Sequence, residues 1–198
     1  LDLTVVSLED GVYSWVVVAG EAPNLIEASN NAYGFVVESD DLSLLLNGSF
    51  EDQGAKANKA ANWAGKGVRK LGTTTVPALD GTYVLSVPVK GTAKQTLTMV
   101  NQPALAFLTT GQVLDFDLST SRGKGKLAII TLKYTDGTSE KCTLGGVTNT
   151  APLTDWEAKA LTCPVNKPVS SIIVVLRHSG GTQTQPTQYD AVSLVAPG

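Results

Sequence analysis

Turn residues interrupt this chain every few positions, and the interruptions decide what it can fold into. Between them lie short runs rich in Val, Ile, Leu, Thr and Tyr, and no stretch of twelve residues keeps a 3.6-residue period. Strands are predicted at Tyr83–Val89, Gln95–Val100, Gln112–Leu118, Lys126–Tyr134, Glu140–Leu144, Ala158–Cys163, Ser170–Arg177 and Ala191–Val195. The pair Lys126–Tyr134 and Glu140–Leu144, joined through Thr135-Asp136-Gly137-Thr138, reads most clearly as a hairpin. Ala55–Ala64 has room for one helical turn, fenced in by Gly54, Gly65 and Gly67. The composition agrees, with 22 Thr, 22 Val and 19 Gly against one Met and one His. Strands this short and this closely spaced leave no room for crossover helices, so the expected class is all-β, an antiparallel sandwich or barrel.

The N-terminal part is set apart by its charge. Residues 1–55 hold ten acids and no Lys or Arg, and all 15 basic residues lie from Lys56 onward, so the two parts carry −10 and +7. Residues 1–43 are read as a β arm. A hairpin is predicted from Leu3–Leu8 and Val12–Ala19 around Glu9-Asp10-Gly11, then a linker from Gly20 to Asn31 and a short strand at Ala32–Glu38. The apolar side of such a ribbon must be covered, because a two-stranded hairpin alone is marginal and its edge invites pairing. It packs either on its own chain or on the next subunit. The second arrangement would repeat head-to-tail through Trp15, Val16, Val17 and Val18. Acidic arm against basic body suits either arrangement.

A body follows, residues 44–198. Its opening run Leu44-Leu45-Leu46-Asn47-Gly48-Ser49-Phe50-Glu51, with Trp63 twelve residues on, and its closing run Gln188-Tyr189-Asp190-Ala191-Val192-Ser193-Leu194-Val195 frame the central Asp80-Gly81-Thr82-Tyr83-Val84-Leu85. Together these resemble carbohydrate-binding modules with a galactose-binding-like jelly roll, over about residues 44–196. The resemblance implies an antiparallel jelly-roll β-sandwich with adjacent first and last strands, Phe50 inside, and Glu51 and Asp190 at neighbouring strand ends. It also implies that Glu51 and Asp190 help to hold a structural Ca2+ ion, a hard cation that takes carboxylate and carbonyl oxygens. The alternative is two exposed carboxylates capping strands. Sugar-binding aromatics do not map onto the family's pattern. Trp63 falls at a core position, and Trp156, between Asp155 and Glu157, is the loop candidate for stacking on a pyranose.

The inventory of reactive groups points away from catalysis. Cys142 and Cys163 are the two thiols, and without C-x-x-C or a nearby His they read as a disulfide of an exported protein. His178 has no second His for a metal site and no G-x-S-x-G elbow to serve. Asp115 and Asp117, two apart on one predicted strand, share a face and read as a polar stripe. A sequence pI of about 5.1 makes nucleic acid a poor partner. No apolar run reaches the roughly 18 residues of a membrane span. The chain begins at Leu1 and is read as a processed, extracellular one. The expectation is a non-catalytic extracellular subunit that self-assembles head-to-tail into a filament or sheath. The alternative is a module recognising a polysaccharide, or an accessory domain of a secreted glycoside-active enzyme.

Overall fold

A computed structural model describes residues 43–74, 76–121, 126–146, 156–178 and 185–196, together with the backbone of four short strands before residue 43. The chain divides into two compact units, Leu1–Leu42 and Ser43–Gly198. In the first unit β1 (Gly11–Trp15) pairs antiparallel with β4 (Tyr33–Val37), with Trp15 opposite Tyr33. Nested inside that pair, β2 (Val18–Ala19) meets β3 (Ile26–Glu27), with Val18 opposite Glu27. The expected strand Val12–Ala19 carries β1 and β2, whose described partners are 33–37 and 26–27, while the expected partner Leu3–Leu8 lies outside the described residues. β-propensity marks a segment as strand without selecting its partner, so composition alone does not announce the pairing with Tyr33–Val37. Residues 1–10 and the expected assembly residues Val16 and Val17 lie outside the described residues.

The described residues of the second unit form ten strands: β5 (Ala64–Gly65), β6 (Val68–Leu71), β7 (Tyr83–Val87), β8 (Thr92–Thr98), β9 (Val113–Thr120), β10 (Lys126–Tyr134), β11 (Ser139–Gly145), β12 (Glu157–Pro164), β13 (Val169–Arg177) and β14 (Thr187–Val195). They build two five-stranded antiparallel sheets, β11-β10-β13-β8-β5 and β12-β9-β14-β7-β6. This is the expected jelly-roll sandwich. Ala55–Ala64, where sequence suggested a helical turn, holds bends, turns and the isolated bridge Gln53–Ala60, and two short strands follow, β5 and β6, which pair with β8 and β7.

Alternation along each strand builds the core. In β9, Leu114, Phe116 and Leu118 are buried while Val113, Asp115, Asp117 and Ser119 between them are more exposed. From the other sheet come Ile130 and Leu132 on β10 and Ile172, Val174 and Leu176 on β13, while Tyr189 and Leu194 on β14 lie beside β9 in its own sheet. Each such side chain contributes about 1.5–3 kcal/mol on burial. Tyr189 keeps its polar end satisfied, its hydroxyl donating toward the carbonyls of Leu127 and Arg177. The Lys126–Tyr134 hairpin forms as expected, with Gly137 at φ +82 in its turn and Thr138 N donating to Asp136 Oδ1 at 2.9 Å.

Cys142 and Cys163 form a disulfide with their Cα atoms 5.8 Å apart. They lie on different sheets: Cys142 is on β11 and Cys163 on β12, the edge strands of the two sheets at one side of the sandwich. The bond therefore staples layer to layer. Replacing both cysteines by Ser should lower the unfolding free energy by about 3 kcal/mol, the loop-closure contribution for this separation. An unchanged denaturation midpoint would show that the bridge adds nothing.

Candidate functional site

The motifs at the two ends of the body meet, and they meet through the backbone. Leu44 N donates to Leu194 O at 2.6 Å and Val192 N to Gly48 O at 3.1 Å. Gly48 is required there, since a Cβ would collide with Val192 O. Asn47 holds the next turn. Its side-chain amide donates to the carbonyls of Asp52 (3.0 Å) and Ala61 (3.1 Å), and its backbone carbonyl accepts from Trp63 Nε1 at 3.0 Å. Phe50 is wholly buried, its ring 5.5 Å from that of Trp63. Asn47, Gly48, Phe50 and Trp63 are thus spent on the fold.

Glu51 and Asp190 converge on one loop, residues 76–82. Glu51 Oε1 accepts from Thr82 N (2.7 Å) and Tyr83 N (2.6 Å). Asp190 Oδ2 accepts from Leu79 N (2.6 Å) and Asp80 N (3.3 Å), and its Oδ1 from Ala191 N (2.8 Å). Gly81, at φ +78, lets the loop close over Glu51, whose Cδ would be 2.5 Å from a Cβ there. Arg69 takes the carbonyls of Phe50 (2.8 Å) and Glu51 (2.5 Å) and stacks on the Tyr83 ring, 3.2 Å from its centroid. Asp190 is buried, and that desolvation raises its pKa against the three amides that favour its charge.

This donor set does not fit the expected Ca2+. Three of the four carboxylate oxygens accept amide hydrogens, and the nearby carbonyls of Phe50 and Glu51 are held by a guanidinium. A shell of six to eight free oxygens is not assembled from these groups. Nor are the carboxylates exposed caps, as the alternative had it, because Asp190 is buried. They act as clamps that pin an amide-rich loop.

Trp156 is half-buried and donates from Nε1 to Pro77 O at 2.8 Å, which ties the start of β12 to the same loop. Val84 and Ser86, on the outer side of β7, are buried together with Val76, which places residues 76–82 over this part of the second sheet. Asp115 and Asp117 alternate with core residues and face outward, as expected. A depression of about 590 Å³ beside Gly48 and Val192 is lined by Ser43, Ser49, Ser193, Asp52 and Asp80, with no aromatic ring in its walls. His178 is buried, its Nδ1 2.9 Å from Thr187 Oγ1 and its Nε2 without a partner among the described residues.

The outer face of the first sheet offers a broader surface. The register places Thr143, Ile129, Val175 and Lys94 in one row across β11, β10, β13 and β8. Lys141, Thr131, Ile173 and Thr96 form the next row, and Ser139, Lys133, Ser171 and Thr98 a third. Intervening residues such as Ile130, Leu132, Ile172 and Val174 point into the core. The face therefore has an aliphatic centre, Ile129, Ile173 and Val175, surrounded by hydroxyls and by the exposed ammonium groups of Lys94, Lys133 and Lys141. Sequence reasoning passed over it because it searched for aromatic rings. The available signal was the Thr, Ser and Lys at alternate positions of four strands. Phe107, on the 3-10 turn Pro103–Phe107, is an exposed aromatic that was also passed over.

Two measurements check these assignments. A chelator should leave the thermal midpoint of the calcium-treated protein unchanged, whereas a fall of several degrees would restore calcium to Glu51 and Asp190. His178 has its pKa lowered from 6.5 by burial. The unfolded chain therefore takes up this proton at a higher pH than the folded one does. Its contribution to stability should be complete above pH 6.5 and be lost as pH falls through the lower, folded pKa. A His178→Gln variant should flatten that acid limb, and an identical pH profile would remove His178 as its source.

No protein-family model matches the chain, and no curated protein matches its sequence. Solved structures match its shape. The enzymatically active domain of tailspike protein 4 of bacteriophage CBA120 aligns with a TM-score of 0.54 at 14% identity, over 78% of this chain and 21% of that one. TmCBM61, solved in complex with β-1,4-galactotriose, aligns with a TM-score of 0.52 at 14% identity, over 79% of this chain and 99% of its own. A family 16 carbohydrate-binding module gives a TM-score of 0.51 at 15% identity, over 77% and 99%. The chain is thus similar to carbohydrate-binding modules in fold, as its opening and closing motifs imply.

Proposed function

We propose that this chain is a non-catalytic, secreted carbohydrate-binding module that lays an extended polysaccharide across the outer face of its first sheet. The observation that carries the reading is that face itself: three rows of hydroxyl, ammonium and aliphatic side chains, held on paired strands about 4.8 Å apart. Polysaccharides present hydroxyls that donate and accept, together with C–H surfaces. Ser and Thr hydroxyls can do both, Lys donates, and Ile129, Ile173 and Val175 offer an apolar surface to sugar C–H groups. A sheet fixes these groups before the ligand arrives, which lowers the ordering cost of binding. The fold shared with TmCBM61 and the family 16 module supports carbohydrate as the ligand. The disulfide supports an oxidising, extracellular setting. Among the described residues no group of three or more His, Cys, Asp or Glu gathers to suggest a metal centre, and no cofactor is invoked. Carbohydrate binding takes precedence here over head-to-tail assembly, because the solved structures of similar fold include binding modules.

Affinity electrophoresis through gels loaded with soluble polysaccharides tests the reading. At least one glycan should retard the protein, and Ile173→Glu, which places a charge in the aliphatic centre, should abolish the retardation. As a face substitution it should change stability by only about 1 kcal/mol. Asp117→Asn, on the opposite sheet, should leave retardation intact. Retardation lost with Asp117→Asn and kept with Ile173→Glu would place the ligand on the wrong face and overturn the reading.

A further inference from the structure

We infer that the polysaccharide taken by this face is polyanionic, a chain bearing carboxylates such as a polyuronate. This rests on the carbohydrate reading and goes beyond it by naming the ligand class. The chain as a whole carries a net charge of −3, yet the fold sorts its charges. Every charged side chain in the three rows is a lysine. Arg177, beside Thr92 one row beyond, adds a fourth cation. Among the described residues no Asp or Glu stands at an outward position of β8, β10, β11 or β13, for Glu140, the acid within these strands, falls on the inward-facing set with Cys142 and Leu144. The second sheet turns Asp115 and Asp117 outward instead. The ion pairs Lys159–Glu157 and Lys167–Asp136 use none of the four cations.

Their placement fits a linear anion. Lys141 is opposite Thr131, so Lys133 is its diagonal neighbour on β10, with Cα atoms about 7–8 Å apart. Lys94 lies three strands from β11, about 14 Å away across the sheet, beyond Ile129 and Val175. The cations therefore flank the aliphatic centre on both sides. An extended sugar chain running across the strands rests its C–H surface on Ile129, Ile173 and Val175 and brings carboxylates to lysines at each side, while Thr and Ser meet its hydroxyls. Three exposed lysines on one face, in no ion pair among the described residues, repel one another, and an anionic ligand relieves that repulsion. Nucleic acid suits the face less well, because none of the outward positions in the three rows is aromatic and a base has no platform on which to stack.

The test titrates the full chain with polygalacturonate and, separately, with neutral β-1,4-galactan, by calorimetry at low and at high salt. The variants are K133E/K141E and, as a control of equal charge change, K56E/K70E, whose lysines are exposed but lie outside the four strands. Polygalacturonate should bind more tightly than galactan. Its affinity should fall about tenfold or more at high salt and by a similar factor in K133E/K141E, and stay within about twofold in K56E/K70E. Equal binding of both glycans, unaffected by K133E/K141E but lost in Ile173→Glu, would overturn the anionic inference and leave the carbohydrate reading standing. Binding of neither of these, nor of any glycan in the electrophoresis panel, would remove both. A single-stranded oligonucleotide that displaces polygalacturonate at equal charge would overturn it in favour of a nucleic-acid face.

Discussion

Everything in the body hangs on a close backbone approach at Gly48. The opening segment reaches the last strand only because no side chain stands between Gly48 and Val192 O. That contact joins the two ends of the body, and from it the next residues are committed in turn. Asn47 closes the turn, Phe50 and Trp63 enter the core, and Glu51 is delivered to the amides of Thr82 and Tyr83. Asp190, two residues before Val192, reaches the same loop from the other end of the chain. A motif at each end of the body thus holds one central loop, and that loop in turn covers part of the second sheet.

The consequence is a division of labour between the two sheets. The second sheet has part of its outer face occupied by residues 76–82, pinned by Asp190 and by Trp156, and it turns Asp115 and Asp117 to solvent. The first sheet shows three regular rows with lysines and hydroxyls around an aliphatic centre. The disulfide, at the edge where β11 and β12 meet, fixes the layers to each other without touching these rows, because Cys142 faces inward. A rigid sheet with fixed spacing is a suitable receiver for a polymer whose own repeat is regular.

Much of this was legible in the residues, and the gaps have definite causes. Alternation in Val113–Thr120 and Lys126–Tyr134, and the Asp-Gly turn after Tyr134, are local signals, so strands and hairpin follow from sequence directly. The end motifs foretold a buried Phe50, whereas the adjacent first and last strands they implied are not found: β5 pairs with β8 and β14 with β9 and β7, and it is the irregular segment before β5 that meets β14. What sequence could not supply was partnership. It could not show that Val12–Ala19 divides between Tyr33–Val37 and Ile26–Glu27, or that Cys142 and Cys163 lie on different layers. It read Trp156 as a platform because a tryptophan between two acids looks exposed, and the carbonyl of Pro77 that holds its indole is 79 residues away. The resemblance to carbohydrate-binding modules implied Glu51 and Asp190 as calcium ligands, and only the loop geometry shows amides aimed at them. The lysine rows were hidden for the same reason, since Lys94, Lys133 and Lys141 are scattered in sequence and meet only through the register of four strands.

The most direct measurement is an amide chemical-shift titration of the intact, isotope-labelled chain with a galacturonate oligosaccharide. The account predicts shifts concentrated in the four strands that carry the outward rows of the first sheet, at the amides of residues 94–98, 129–133, 139–143 and 171–175, with residues 115–119 unmoved. Shifts centred on Trp156, on the loop at Pro77 and on the outward positions of the second sheet, with the first sheet silent, would contradict it.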